Sequence, residues 1–423
     1  MNKKQEEKGI TLIALIITII IMLILVGVTI SISLQGGLFG YAKKAAKDTK
    51  NALEYENSLA EGIINGQTID DIVGTAVADD WYEAPAEELK IDKDGNYHIS
   101  TCAELALFAK TVNEGNDFAG KTVYLDKNLD LQGNENKQWT PIGTDTKPFN
   151  GTFDGKNHYI SGIYINTTED GFAYGLFGYV NSGNIQGIGV INGYIKGRNS
   201  TGGIVGEFLN ENGYIKNCYN LTEVEGSSNA GGIVGFNYGT IENCYNVGKI
   251  TVADGGDGAG GIAGNAAFCT VKECYNKGEI VAGEGNCSWT GGIVGWSEEA
   301  RLTIENCYNI GNINGKTSGG IVGFFASYSE ISNCYNIGTI DGSENIGEIV
   351  GIAISEISEN CYYKSGTTNE AAGKIDGNVT VKATAKTEEE MKADAFVGLL
   401  NNGGTAWKKD TGINKGYPIL SWQ

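Results

Sequence analysis

The apolar pattern of this chain changes character twice. From Ile10 to Ile30 the residues are almost wholly apolar, and no charge stands between Gly9 and Ala42. Such a run, about 21 residues, matches a bilayer core of about 30 Å. Lys3, Lys4 and Lys8 precede it and Lys43, Lys44, Lys47 and Lys50 follow it, so the lysines do not orient the span. Next, Ala42, Ala45, Ala46, Thr49, Ala52, Leu53, Leu59, Ile63 and Ile64 recur mostly at three- and four-residue spacing, which predicts an amphipathic helix. A helix running from 10 to 64 would be on the order of 80 Å long and would form a membrane span with a stalk. Residues 65–95 lose the periodicity and turn acidic, and read as a linker.

After the linker the pattern becomes short β-type runs punctuated by Gly and Asn, and it repeats. GGIVG starts at 202, 231, 291 and 319, with the variants GGIAG at 260, GEIVG at 347 and YGLFG at 174. Successive starts lie 28, 29, 29, 31, 28 and 28 residues apart. A second element, IKNCYN, IENCYN, VKECYN, IENCYN or ISNCYN, follows each time, and a partial copy ends at Tyr363. One unit cannot bury both faces of its strands, whereas stacked units can. The expected fold is therefore all-β: a right-handed, three-sided parallel β-solenoid with coils of about 28 residues.

Columns through the repeats assign the side-chain directions. Cys218, Cys244, Cys274, Cys307, Cys334 and Cys361 align, and the earlier unit has Ile188 at that place, which predicts an inward apolar column. Two residues earlier, Lys216, Glu242, Lys272 and Glu305 alternate in sign, as expected of an outward column. Tyr219, Tyr245, Tyr275, Tyr308, Tyr335 and Tyr362 follow each Cys and should point outward. They form either a strip that binds sugars or a partner, or rings that stack and shield the sheet. Asn220, Asn246, Asn276, Asn309 and Asn336 suit an amide ladder at a corner.

Two resemblances follow from these residues. KGITLIALIITIIIMLILVGVTI resembles the start of type IV prepilins and pseudopilins, which implies cleavage by a prepilin peptidase between Gly9 and Ile10 and pilus or pseudopilus subunits as partners. The family's usual glutamate at the fifth mature position is replaced by Ala14, which weighs against polymerisation. The repeats over roughly 170–365 resemble the GLUG motif of bacterial surface proteins, including IgA-specific metallopeptidases whose protease activity resides in a separate zinc domain. ISTCAELALFAKTVNEG, WTPIG and FNGTFDGKNHYISGI match what precedes such arrays. The resulting division is a leader at 1–9, a span and stalk at 10–64, a linker at 65–95, a cap with first coils at 96–173, repeats at 174–365 and a C-terminal cap at 366–423. Thr101-x-x-Glu104 and Thr387-x-x-Glu390 are capping boxes that should open helices in the two caps, the second running to Leu400.

Composition narrows the chemistry. With 31 basic and 51 acidic residues, a net charge of −20, nucleic acid is not an expected partner. The chain has two histidines, His98 and His158, and no His-Glu-x-x-His, which argues against zinc or triad chemistry. Nine cysteines allow buried thiols or some disulfides, with Cys269 and Cys287 outside the column. His98 and Cys102 lack a third orienting group. Asp92-Lys-Asp94-Gly-Asn96 reads as a turn rather than a calcium loop. Glu207, Glu211, Glu298 and Glu330 have no spacing that gathers them across coils, as a carbohydrate-active β-helix enzyme would need. No cofactor and no metal are expected. The reading is a noncatalytic single-pass membrane protein with its solenoid outside the cell, an adhesin or spacer with a host or glycan ligand; the alternative is a surface lyase or glycosidase.

Overall fold

The computed structural model describes residues 81–423, apart from 85, 170–172, 254, 284–288, 298–300, 356 and 368. These belong to a unit spanning 67–423. The leader with Gly9 and Ile10, the apolar span and the stalk lie outside the described residues.

Each repeat folds as one turn of a parallel β-solenoid. The turn that starts at Asn229 has five short strands: Asn229–Gly231, Val234–Asn237, Thr240–Glu242, Tyr245–Asn246 and Ile250–Val252. Each pairs in parallel with its counterpart one repeat later, as in Val234 with Ala263, Ile241 with Val271, Tyr245 with Tyr275 and Ile250 with Ile280. The ladders merge into two 18-stranded sheets and about nine turns. The three runs expected per repeat are split into five because two local features bend the chain.

The first feature is the glycine pair. A Cβ on Gly231 would run into the Val234 carbonyl, and one on Gly232 into the Asn246 side chain. The second is the residue before each Cys. Asn217, Asn243, Glu273, Asn306, Asn333 and Asn360 all have φ between 51° and 65°. Asn tolerates this left-handed conformation better than other non-glycine residues. The first Asn of NCYN is thus a backbone requirement, and Glu273 is its one departure.

The axis is filled by columns. Ile185, Ile215, Ile241, Val271, Ile304 and Ile331 stack in register and are fully buried. At the N-terminal end, helix α1 (Cys102–Glu114) starts with Thr101 and Glu104 in the reciprocal capping box. Its Leu105, Phe108 and Val112 join the axial core, where Phe108 packs edge-on against Phe118 and Phe149. The folded unit begins earlier than the linker boundary at 95 suggests. Lys90–Ile91 pairs antiparallel with Tyr97–Ile99, and buried Trp81 donates to the Leu131 carbonyl at 2.9 Å. A two-residue strand and a lone tryptophan carry too little periodicity to show in the pattern.

At the other end, helix α2 (Glu388–Lys392) also opens on its capping box, with Thr387 and Glu390. The helix does not continue to Leu400 unbroken. Ala393 is extended (φ −75°, ψ 147°) and helix α3 covers Asp394–Asn401. At about 100° per residue, positions 391 and 396 would face different directions on one continuous helix. The break brings Met391, Phe396 and Leu400 into one buried cluster.

Candidate functional site

The lateral face that carries the NCYN columns is the candidate site. Strand alternation sets its two sides. Cys218, Cys244, Cys274, Cys307, Cys334 and Cys361 are fully buried, and all eight described cysteines are free thiols. The Cys218 amide donates to Cys244 Sγ at 3.4 Å, and the same link joins Cys244 to Cys274 and Cys307 to Cys334. Burial pushes the Cys218, Cys274 and Cys334 thiols well up. Cys269, outside the column, is pushed up to about 12 by burial.

Beside the thiols runs an unbroken amide ladder. Asn220, Asn246, Asn276 and Asn309 each donate Nδ2 to the next Asn Oδ1 at 2.9 Å, ending on Asn336. Asn276, Asn309 and Asn336 also close a local turn, accepting from the glycine amide two residues on. One coil later the ladder position is Tyr363. There Glu348, which replaces the second glycine of the repeat, supplies the acceptor: Asn336 Nδ2 donates to Glu348 Oε2 at 3.3 Å. The two departures from the repeat in that coil, Tyr363 and Glu348, therefore compensate each other. Burial raises the Glu348 carboxyl above its ordinary value.

On the outer side the tyrosines stack. Ring centroids from Tyr219 to Tyr335 are 5.1, 4.9, 4.9 and 5.0 Å apart, with interplanar angles of 8° or less. Tyr362 instead meets Phe396 edge-on at 5.0 Å. The C-terminal segment lies over this column. Tyr335 Oη donates to the Pro418 carbonyl at 2.6 Å, Trp407 Nε1 to Asn306 Oδ1 at 3.2 Å, and Trp422 Nε1 to the Glu273 carbonyl at 3.0 Å. Tyr308 and Tyr335 are wholly buried, and Tyr275 and Tyr362 nearly so. Tyr219 and Tyr245 are half-buried. Of the six candidate binding tyrosines these two are the least covered, and Trp422 stacks over Tyr245 at 6.3 Å.

The polar column stays open. In register run Asp154, Gln186, Lys216, Glu242, Lys272 and Glu305. Gln186 Nε2 donates to Asp154 Oδ2 at 2.9 Å, and Tyr214 Oη to Gln186 Oε1 at 3.1 Å. Glu242 receives Lys216 at 2.7 Å on one oxygen and Lys272 at 3.3 Å on the other. Burial works against the charged Glu242, but the two ammonium groups outweigh it and hold its carboxyl below the usual range. Asp154, Gln186, Tyr214, Lys216, Glu242 and Lys272 line an open groove along the coils.

The remaining candidates are dispersed. His98 Nδ1 lies 2.7 Å from Asp126 Oδ2, with Nε2 3.4 Å from Asp92, while Cys102 Sγ donates to the Asp130 carbonyl. His98 and Cys102 therefore have separate partners and form no dyad. Asp92 Oδ1 accepts the amides of Asp94 and Asn96, closing the turn. His158 pairs with Asn128 at 3.1 Å. Glu207 and Glu330 stand on different strands of the coil, and Cys287 and Glu298 lie outside the described residues. Sequence reasoning missed the Glu242 double pairing and the role of Trp422. The sign alternation was the available signal for the first; the second is a long-range contact with none.

Two comparisons bear on this geometry. The family model for the GLUG motif matches residues 226–251, the turn containing Cys244 and Tyr245, so the chain carries this repeat. A Bacteroides ovatus crystal structure, provisionally named an immunoglobulin A1 protease, is similar in fold. It has a TM-score of 0.55 and 23% identity, over 82% of this chain and 100% of that one. At that identity the likeness concerns the solenoid fold alone. No curated protein matches the chain.

Proposed function

We propose that this is a noncatalytic bacterial surface protein in which residues 10–30 cross the membrane and a right-handed, three-sided solenoid is displayed outside the cell as an adhesin or spacer. The observation that carries the reading is how the repeat uses its side chains. The Cys, Asn and inner Ile columns, and most of the tyrosines, serve to stack one turn on the next. What this builds is a rigid body about 40 Å long at a coil spacing of about 4.8 Å. The apolar run and its Lys-Gly start support anchoring and prepilin-type processing, with prepilin peptidase and pilus or pseudopilus subunits as partners.

The mature N-terminus in the native host tests this reading, together with protease digestion of intact cells. The expected result is a chain starting at Ile10 whose solenoid is cut by external protease. An intact Met1 would sink the processing and filament parts. A solenoid protected on intact cells but cut after lysis would overturn surface display.

A further inference from the structure

We infer that the C-terminal end of the solenoid pairs end to end with the same end of a second copy, by antiparallel strand addition about a twofold axis. This rests on the surface-display reading and names the partner as another copy of this chain.

The axial core is finished differently at its two ends. At the N-terminal end α1 closes it, and Leu105, Phe108 and Val112 are wholly buried. At the other end Ala372, Val381 and Ala383 of the last coil pack on the core yet stay half-buried, and Ile375 is 50% exposed. Strands Glu370–Ile375 and Val381–Lys386 pair with the preceding coil and, among the described residues, with nothing beyond it. The helices that follow, α2 and α3, join the cluster on the tyrosine column at the side. The Lys386 carbonyl accepts from the Ser365 amide at 2.8 Å, back toward the preceding coil, so alternation turns the Ala385 amide to the open side.

A row of unpaired amides and carbonyls is a template for another strand, and proteins usually guard it with proline or free lysine. Here no proline stands between Ser365 and Lys386, Lys374 lies 3.1 Å from Asp376, and Lys386 lies 3.8 Å from Glu390. The two open edges belong to different sheets. One added peptide strand would extend one edge and leave the apolar centre between them wet. An identical end presents both edges and the same apolar centre. A twofold axis across the solenoid reverses strand direction, so the contact is antiparallel, the slightly more stable pairing. Stacking on the N-terminal end of another copy is blocked by α1, which closes that end. Charge permits the contact: residues 370–386 carry two acids and three lysines on a chain of net charge −20, so two copies meet here without the repulsion their overall charge imposes. The proposed anchor joins the chain ahead of residue 81, at the closed end. In a displayed protein the open coil is then the free tip, and copies on facing membranes join tip to tip.

The test follows the full chain in detergent by sedimentation velocity and by hydrogen exchange across a range of protein concentrations. The expected result is a reversible dimer in which amide protection over 370–376 and 381–386 rises with concentration while that of α1 does not. Ile375→Glu places an acid in the contact on both copies and should raise the dissociation constant at least about tenfold, with the melting temperature unchanged. Ala385→Pro, which removes an outward amide, should also weaken the dimer. Leu399→Glu, at a position 43% exposed but on α3 at the side, should leave it as it was. Vesicles carrying the parent chain should cluster, and those carrying Ile375→Glu should not. A monomer at every concentration, a dimer protected elsewhere than the terminal coil, or a folded Ile375→Glu that dimerises like the parent would each overturn the proposal. So would protection of 370–386 that is independent of concentration, which would mean that a segment of the same chain covers the coil, and parent vesicles that stay apart. Any of these can occur while the N-terminus and cell-digestion results stand, so the two readings fail separately.

Discussion

The two ends of the solenoid open their helices on the same capping box, yet they do different things. At the N-terminal end, Thr101 and Glu104 start a 13-residue helix whose Leu105, Phe108 and Val112 extend the axial core. At the C-terminal end, Thr387 and Glu390 start a helix of five residues. The segment that follows turns back along the side and buries Tyr308 and Tyr335 beneath Trp407 and Phe396. The terminal strands Glu370–Ile375 and Val381–Lys386 pair on one side only among the described residues. A capping box fixes where a helix starts; what the helix covers depends on the phase of its apolar residues and on what surface is near.

The comparison can be broken at its strongest point first. Phe108→Ala should cost about 3–5 kcal/mol, the range for deleting a buried aromatic ring. Because Phe108 belongs to the axial core, the loss should appear as a lower midpoint of global unfolding. Trp407→Ala removes a ring of similar burial, but its effect should stay local. Hydrogen exchange should quicken across 387–423 while the ladder amides near Ile241 and Val271 keep their protection. A global drop equal to that of Phe108→Ala would show that the C-terminal segment is part of one cooperative core.

Smaller effects sharpen the same contrast. Asn276→Ala interrupts the amide ladder and strands buried partners, at about 1–3 kcal/mol by denaturant unfolding. Glu273→Asn should stabilise by about 1 kcal/mol, since φ of 51° is costly there for Glu. The smallest effect is the pH dependence from Glu348. Its folded carboxyl titrates above the unfolded one, so the folded state binds its proton more tightly. Stability should rise as pH falls through the raised value and level off below the unfolded value. That increment should be absent in Glu348→Gln, read as the difference between the two proteins' melting temperatures across pH.

Much of the solenoid is legible in the sequence because each coil repeats the same local demands. The inward Cys column follows from Ile188 standing in its place, and the outward charges follow from the alternation of Lys216, Glu242 and Lys272. Ladder pairing then puts Lys216 opposite Glu242 and Glu242 opposite Lys272. The helix starts are legible because a capping box is a four-residue code. What is not legible depends on contacts far apart in sequence. The tyrosines alternate outward as strand geometry requires, but alternation says nothing of the segment 60 or more residues later that covers Tyr335. The break at Ala393 is equally hidden, since alanine is a good helix former and the cause lies in the surface beneath. The folded residues before 96 escape because Trp81 and a two-residue strand have no period to detect.

The claim most open to direct test is that the lateral face is divided, covered from Tyr275 onward, partly covered by Trp422 at Tyr245 and open before that. Hydroxyl-radical footprinting of the full chain, read tyrosine by tyrosine by mass spectrometry, measures this. The account predicts labelling of Tyr214 and Tyr219 and protection of Tyr308 and Tyr335, with protection lost in Trp407→Ala. Equal labelling of all six column tyrosines in the parent protein would contradict it.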